Sequence, residues 1–153
     1  MSDENGCTAC DLTSGRAHLP GGRIDETGHW VVEHCVGPLG VGTLIVKPFR
    51  HVLHVADLTA AESAELGPLL QRTSAAVTEL TAPEQVYVTL WSHAGGVPGH
   101  IHFVVQPIHR ADMDRHGFHG PRLQLAMLDA AEFPGPAAMQ SFTDRMRAHL
   151  HPA

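Results

Sequence analysis

The stretch Val97-Pro-Gly-His-Ile-His-Phe-Val-Val-Gln-Pro107 is the part of this sequence that decides the fold. Its β-branched and aromatic residues from position 100 onward predict a strand that ends at the proline. Because successive side chains of a strand point to opposite faces, the apolar side chains at 101, 103 and 105 are predicted to face the core. The opposite face then carries His100, His102, Val104 and Gln106.

The two histidines on that outer face, His100 and His102, are candidates for chemistry. Neighbouring imidazoles can share a metal ion, or one of them can attack a phosphoryl group. Two exposed histidines are equally expected in a chain that contains 13 of them. The spacing alone therefore does not distinguish a functional pair of histidines from two exposed histidines without a role.

Other strands are predicted before and after a long helix. Apolar runs at 29–36 and 42–47 predict two antiparallel strands, and alternation over 85–91 predicts another. The glycine-rich segment Ala94–Gly99 then predicts a turn that returns the chain to the strand beginning at position 100.

The predicted helix begins after Thr59, which is a candidate N-cap. Glu62 follows three residues later and completes the capping-box pattern, and apolar residues at helical spacing continue to about Leu80. With strands before and after this helix and short connections, the sequence predicts an α+β fold: an antiparallel β-sheet with helices on one face.

The two ends of the chain are less regular. Residues 1–28 are rich in glycine, serine and threonine and are predicted to be mostly loop. After Ile108 we expect a loop that contains His109, His116 and His119. Two helices are expected beyond it, at 123–131 and 136–150. The length of 153 residues predicts a single domain, 1–153, with a motif region at 7–107 and a C-terminal extension at 108–153.

The composition excludes several classes of partner. A formal net charge of -6 argues against binding to a nucleic acid polymer or an anionic membrane surface. No apolar run approaches the roughly 20 residues that a bilayer-spanning helix needs. Residues 1–6 have neither a basic segment nor an apolar stretch typical of a secretory signal, so we expect a cytoplasmic protein.

Cys7 and Cys10 form a C-x-x-C pair that can be interpreted as half of a zinc site, as a redox pair or as two loop thiols. A zinc site needs four ligands, so histidines must complete it. His51 and His100 are the best placed, because one follows a predicted strand and the other begins one. The redox interpretation is weaker, because no early strand and following helix surround the pair.

These motifs together resemble the histidine triad (HIT) family. The resemblance rests on Lys47-Pro-Phe-Arg-His-Val52, the helix after it, Val86-Tyr-Val88 and the segment 97–107. The bacterial branch often carries an N-terminal C-x-x-C like that of Cys7 and Cys10. The similarity covers about two-thirds of the chain, and the ordered set of motifs is more specific than any one of them.

The resemblance implies a fold, an activity and roles for particular residues. Its members are commonly homodimeric nucleotide hydrolases or nucleotidyltransferases that act on nucleoside phosphate anhydrides or phosphoramidates, which are small nucleotide substrates. It makes His102 the nucleophile that forms a covalent nucleotidyl-histidine intermediate. It also implies a structural zinc, whose ligands would be Cys7, Cys10, His51 and His100.

The chain departs from the family pattern around the proposed nucleophile. The third triad position is Val104, so Gln106, on the same face, is a candidate to contact the phosphate instead. Gly95 and Gly96 could offer backbone N–H groups to phosphate oxygens, or simply form a turn. Two further candidates for substrate contact are Ser92 and His93.

The acidic residue that many members use for the ribose falls near Cys35 in this chain. Glu33 and His34 are the possible substitutes for it.

Two alternatives remain open from the sequence. The absence of a third histidine favours a non-catalytic nucleotide-binding or regulatory protein of the same fold. A zinc hydrolase is the other alternative, in which His100 and His102 both bind the metal and a bound water attacks the substrate.

Overall fold

The structure is a computed structural model that describes residues 6–153, apart from the side chain of Ala94. One antiparallel sheet of five strands, in the order β1-β2-β3-β5-β4, forms its centre. The strands are β1 (Arg23–Glu26), β2 (Trp30–His34), β3 (Leu44–Pro48), β4 (Gln85–Ala94) and β5 (Val97–Ile108). The helices are α1 (Thr8–Ser14), α2 (Ala60–Thr81), α3 (Arg110–His116), α4 (Pro121–Ala130) and α5 (Pro136–Leu150). The predicted α+β class is confirmed.

The two long helices, α2 and α5, cover one face of the sheet. The indole N–H of Trp30 in β2 donates to the carbonyl oxygen of Glu62 in α2 at 2.8 Å, which fixes this helix over the sheet. Apolar side chains fill the space between the helices and the strands. They include Val32, Leu44, Val46, Leu69, Ala76, Val77, Val105, Phe142 and Met146.

Helix α2 begins where the capping pattern predicts. The Thr59 hydroxyl accepts from the Glu62 backbone N–H at 3.2 Å, and the Glu62 carboxylate accepts from the Thr59 N–H at 2.7 Å. Both bonds satisfy donors that the first helical turn leaves free. The prediction of this helix is confirmed to within one residue at its end.

Strands β4 and β5 form a hairpin whose two-residue turn is Gly95-Gly96. Both residues have positive φ, +61° and +83°, as this tight turn requires. The pairs Ala94–Val97 and His93–Pro98 extend the ladder up to the turn. The predicted turn over 94–99 is therefore too long, because β5 begins at Val97 and not at position 100.

Two regions predicted as loop contain regular structure. Residues 1–28 include α1 and β1, which are too short for a periodic pattern and depend on contacts with distant parts of the chain. The region of His109 and His116 contains α3, where the Asp112 carboxylate accepts from the His109 N–H at 2.9 Å and caps the helix. Both predictions of loop are wrong at these positions.

Within residues 6–153, no helix combines the length and the apolar composition needed to cross a bilayer. The prediction that no secretory signal is present concerns residues 1–6, and positions 1–5 lie outside the described residues.

Candidate functional site

The four predicted metal ligands, Cys7, Cys10, His51 and His100, converge in the structure. Their ligand atoms all lie within 4.8 Å of one another. The Cys10 Sγ lies 3.3 Å from His51 Nδ1 and 3.4 Å from His100 Nδ1, and the Cys7 Sγ lies 3.8 Å from His100 Nδ1. A tetrahedral zinc with bonds of about 2.0–2.3 Å separates its ligand atoms by about 3.3–3.8 Å. The geometry confirms that these residues can form a zinc site.

His100 is oriented for this role by the backbone. Its Nε2 donates to the carbonyl oxygen of Pro48 at 2.9 Å, which leaves Nδ1 unprotonated and directed at the thiols. Burial lowers the pKa of His100 to about 4. The imidazole is therefore neutral near pH 7, which is the form that binds a metal.

The ligand cluster joins three segments that are distant in sequence. Cys7 is the N-cap of α1 and Cys10 lies in its first turn, while His51 follows β3. The fourth ligand comes from β5, where the Ile101 N–H donates to the Val52 carbonyl oxygen at 2.8 Å. Metal binding would therefore fasten α1 to the strand that carries His102.

His102 lies two residues beyond the cluster, with its side chain half-buried. Its Nδ1 is 3.1 Å from the His100 carbonyl oxygen, so Nδ1 carries the proton and Nε2 keeps its lone pair. The ring forms part of the wall of two cavities, of about 340 and 300 Å³. An imidazole in this state can act as a nucleophile or accept a proton.

The larger cavity lies between α1, α4 and the face of the sheet opposite α2 and α5. Apolar side chains provide most of its wall, and they include Leu12, Leu39, Ile45, Trp91, Val104 and Leu128. A concave, mostly apolar cavity with few polar groups is the usual form of a small-molecule site. Cys35, another part of this wall, has its pKa raised by burial and stays a neutral thiol.

Of the four residues predicted on the hairpin, the structure brings only His93 to His102. His93 is exposed and belongs to the walls of both cavities. Ser92 is exposed and belongs to neither wall. Gly95 and Gly96 form the tip of the hairpin and also lie outside both walls. Of these four residues, only His93 therefore belongs to the cavity walls that His102 also lines.

Gln106 lies in the interior and not in the cavity where the sequence interpretation places it. Its side chain is fully buried. The amide nitrogen donates to the Leu39 carbonyl oxygen at 3.1 Å, and the amide oxygen accepts from Gln124 of α4 at 2.9 Å. Gln106 is therefore not placed to replace the third histidine, and Val104 offers only an apolar surface.

A buried ion pair in the cavity wall is the feature that sequence reasoning missed. Lys47 Nζ lies 2.6 Å from Glu33 Oε2, and both side chains are only 2% exposed. Lys47 also donates to the Ala9 carbonyl oxygen of α1 at 2.8 Å. Strand alternation could have indicated it, because Glu33 and Lys47 occur at polar positions of two adjacent, otherwise apolar strands.

His34, in contrast, forms hydrogen bonds to the backbone within the fold. Its Nδ1 donates to the Cys35 carbonyl oxygen at 2.8 Å, and its Nε2 accepts from the Gly42 N–H at 3.0 Å. The ring meets Phe142 of α5 edge-on, and burial lowers the pKa of His34. Both ring nitrogens are used, so His34 has no group left for a ribose.

No protein-family model matches the sequence, and no curated protein matches it. Solved structures do match. A HIT-like protein from Bartonella henselae, involved in cell-cycle regulation and solved with an unknown ligand, is 14% identical, with a TM-score of 0.72 over 97% of this chain and 98% of that one.

Two further structures are similar over most of their length. A zinc-bound histidine triad family protein from Mycobacterium smegmatis is 21% identical, with a TM-score of 0.67 over 95% of this chain and 93% of that one. A hypothetical histidine triad nucleotide-binding protein from Sulfolobus tokodaii is 16% identical, with a TM-score of 0.69 over 92% and 89%. The chain therefore has the fold of the histidine triad proteins, as its motifs predict.

Proposed function

We propose that this protein is a nucleotide hydrolase or nucleotidyltransferase that acts on nucleoside phosphate anhydrides or phosphoramidates through His102. The observation that carries the proposal is the state of this imidazole. Its Nδ1 is held by the His100 carbonyl oxygen, and the ring lies in the wall of a largely apolar cavity. Similarity to a structure described as nucleotide-binding supports the substrate class.

The reaction needs two displacements at one phosphorus atom. The His102 Nε2 lone pair forms an N–P bond while the bond from phosphorus to the leaving group breaks. Water or another acceptor then attacks phosphorus and loses its proton to the group that protonated the leaving group, the N–P bond breaks and the imidazole is restored. A neutral imidazole is both a nucleophile and a leaving group, so it divides a difficult step into two easier ones.

The leaving group must gain a proton when its bond to phosphorus breaks. His93 is the candidate donor, because its imidazole shares both cavity walls with His102. Histidine exchanges protons readily near neutral pH.

The test is to incubate the protein with nucleoside phosphoramidates and dinucleoside polyphosphates and to detect the adduct by mass spectrometry. We expect a transient gain of one nucleotidyl group that is absent in His102→Ala, with turnover reduced by about 1000-fold or more. His54→Ala is the matched control, because His54 is exposed and its side chain does not cap the short 3-10 helix Val55–Asp57 that follows it.

A second outcome separates the alternative function. Tight nucleotide binding with neither adduct nor turnover would favour a non-catalytic, regulatory protein. Val104 supports this alternative, because it is apolar and only 3% exposed at the third triad position. An adduct that persists in His102→Ala would contradict the role of this residue.

We also propose that Cys7, Cys10, His51 and His100 bind a structural zinc. Four protein ligands leave a tetrahedral zinc no open position for a reactive water. His102 is not among the clustered ligands, which argues against the zinc hydrolase alternative. Thiols that bind zinc must stay reduced, so we infer a cytoplasmic location.

We propose further that two copies associate through strand β4. This strand is at the edge of the sheet and exposes Val88 and Leu90 by 44% and 39%. An exposed apolar edge strand is suited to pairing with a second copy. Light scattering should give the mass of a dimer, and Val88→Asp should give a monomer. Val55→Asp, which also changes an exposed valine, should leave the dimer intact.

A further inference from the structure

Glu33 and Lys47 place a buried ion pair in a cavity whose wall is otherwise largely apolar. Each side chain is only 2% exposed, and helix α1 covers the pair through the Lys47–Ala9 hydrogen bond. Removing two charges from water is costly, and apolar residues of similar volume often stabilise a fold at least as well. Stability alone therefore does not explain charges at this place.

The pair has unused hydrogen-bonding capacity. Within the described part of the chain, Glu33 Oε1 is buried and has no hydrogen-bond partner. Lys47 Nζ donates to Ala9 O and pairs with Glu33 Oε2, which leaves one of its three N–H groups unassigned. Buried polar groups are almost always satisfied, so one acceptor beside one donor in a cavity wall points to a ligand.

The sheet places this pair at a distance from the phosphate position. The ladder pairs Glu33 with Ile45, and Ile45 with Val104, so Glu33 of β2 lies two strands away from β5, which carries His102. Two strand spacings amount to about 10 Å. The base is the part of a 5′-nucleotide that lies farthest from its phosphate, so a base that extends from a phosphate at His102 can span this distance to Glu33.

We propose that the Glu33–Lys47 pair recognises the base and selects a nucleotide whose base carries an amino group beside a ring nitrogen, as adenine does. This inference rests on the proposed function. Glu33 Oε1 accepts from the exocyclic N–H of the base, and Lys47 Nζ donates to the adjacent ring nitrogen.

The apolar part of the wall contacts the faces of the base. Ile45, Trp91 and Val104 belong to the same wall as the ion pair, and an aromatic heterocycle can pack against them. Hypoxanthine has the same size as adenine but presents a carbonyl oxygen where adenine has its amino group. That oxygen would face the Glu33 carboxylate, and an unpaired buried carboxylate oxygen rejects such a ligand strongly.

The test measures the binding of AMP and IMP by titration calorimetry, so that it does not depend on turnover. We expect AMP to bind at least about 10-fold more tightly than IMP, because one hydrogen bond to a charged group is lost and a repulsion is gained. In Glu33→Gln the preference should fall to near parity, since an amide can also donate to the carbonyl of IMP. Glu26→Gln, which removes an exposed carboxylate of β1, should keep the full preference.

A double variant tests the inference even if Glu33→Gln alone does not fold. Glu33→Gln alone leaves the Lys47 charge buried, whereas Glu33→Gln combined with Lys47→Met removes both charges and keeps similar volumes. The double variant should melt near the temperature of the natural chain and should not distinguish AMP from IMP. A preference that survives in the double variant would overturn the inference.

The remaining outcomes separate this inference from the proposed function. If AMP and IMP bind equally well and 2′-deoxy-AMP binds weakly, the pair contacts the ribose and the base assignment is overturned, while nucleotide binding stands. If the natural chain binds neither AMP nor IMP, the proposed function and this inference both fail.

Discussion

The two faces of the sheet in this protein differ in what they bury. The face under α2 and α5 is closed by apolar side chains such as Leu69 and Phe142. The opposite face carries a buried ion pair, a half-buried imidazole and a cavity of about 340 Å³. The first, closed face is packed mainly with apolar side chains, and the second, open face keeps an ion pair and open volume.

This difference separates stability from function in space. Burial of apolar area is the main favourable contribution to folding, and the closed face provides most of it. Buried charges and cavities contribute little or are costly, so the open face depends on the rest of the fold for its stability. Substitutions on the two faces should therefore have different consequences.

The largest effect is expected from the metal ligands that hold α1 over the open face. Cys7→Ser should release one equivalent of zinc and lower the free energy of unfolding by on the order of 5 kcal/mol, because structural zinc binding contributes directly to folding. Metal content and thermal melting measure this effect. Cys35→Ser changes a buried thiol outside the cluster and should keep the metal. Equal metal content in both variants would contradict the four-ligand site.

The second effect compares one leucine from each face. Leu69→Ala in α2 should lower the free energy of unfolding by about 3 kcal/mol and leave nucleotide affinity unchanged, because Leu69 is fully buried in the closed face. Leu128→Ala in α4 should cost less stability and weaken nucleotide binding, because Leu128 belongs to the cavity wall. Denaturant titration and calorimetry measure the two quantities. The contrast between the two faces would be wrong if both variants lost mainly stability or both lost mainly nucleotide affinity.

The third effect concerns the ion pair between Arg50, which follows β3, and Glu62 in the first turn of α2, whose charged atoms lie 2.8 Å apart. Hydrogen bonding from Arg50 lowers the pKa of Glu62 from its ordinary value of 4.5 to about 2. The ionised carboxylate therefore contributes its full stability at pH values above 4.5. Glu62→Gln should lower the free energy of unfolding at pH 7 by about 2 kcal/mol. This contribution is lost as the pH falls from 4.5 toward 2. Near pH 2, Glu62→Gln and the natural chain should therefore be equally stable.

The control for this third effect lies on the same helix. Glu79→Gln changes a carboxylate that is 66% exposed and should alter stability by only a few tenths of a kcal/mol. A difference between Glu62→Gln and the natural chain that persists near pH 2 would contradict the role assigned to the ionised carboxylate.

The smallest effect concerns His34, a polar side chain on the closed face. Burial lowers its pKa below 6.5, so the unfolded chain binds a proton that the folded chain does not bind. His34 should therefore reduce stability as the pH falls below 6.5. Unfolding midpoints at pH 7.5 and 5.5 should differ less in His34→Gln than in the natural chain. Equal pH dependence would show that His34 can take up a proton in the folded state.

Local sequence patterns predict part of this molecule well. The capping box at Thr59 and Glu62 and the alternation around His102 depend on residues close together in the chain, so they are visible without a structure. Helix α1 is not visible in this way, because its seven residues depend on Lys47 and on the metal ligands. Gln106 is a similar case, because its burial follows from the packing of α4 against the open face.

The sequence by itself determined the antiparallel α+β fold and the capped helix α2, because spacing and alternation express these directly, while the resemblance to the family implied the four residues that can bind zinc. Only the tertiary structure decided that Glu33 and Lys47 form an ion pair, that His93 joins His102 and that Gln106 does not. The reason is physical: a pairing between distant segments depends on strand register and helix packing, which the whole chain fixes together. A strand pattern gives the face on which a residue lies but does not give its partner.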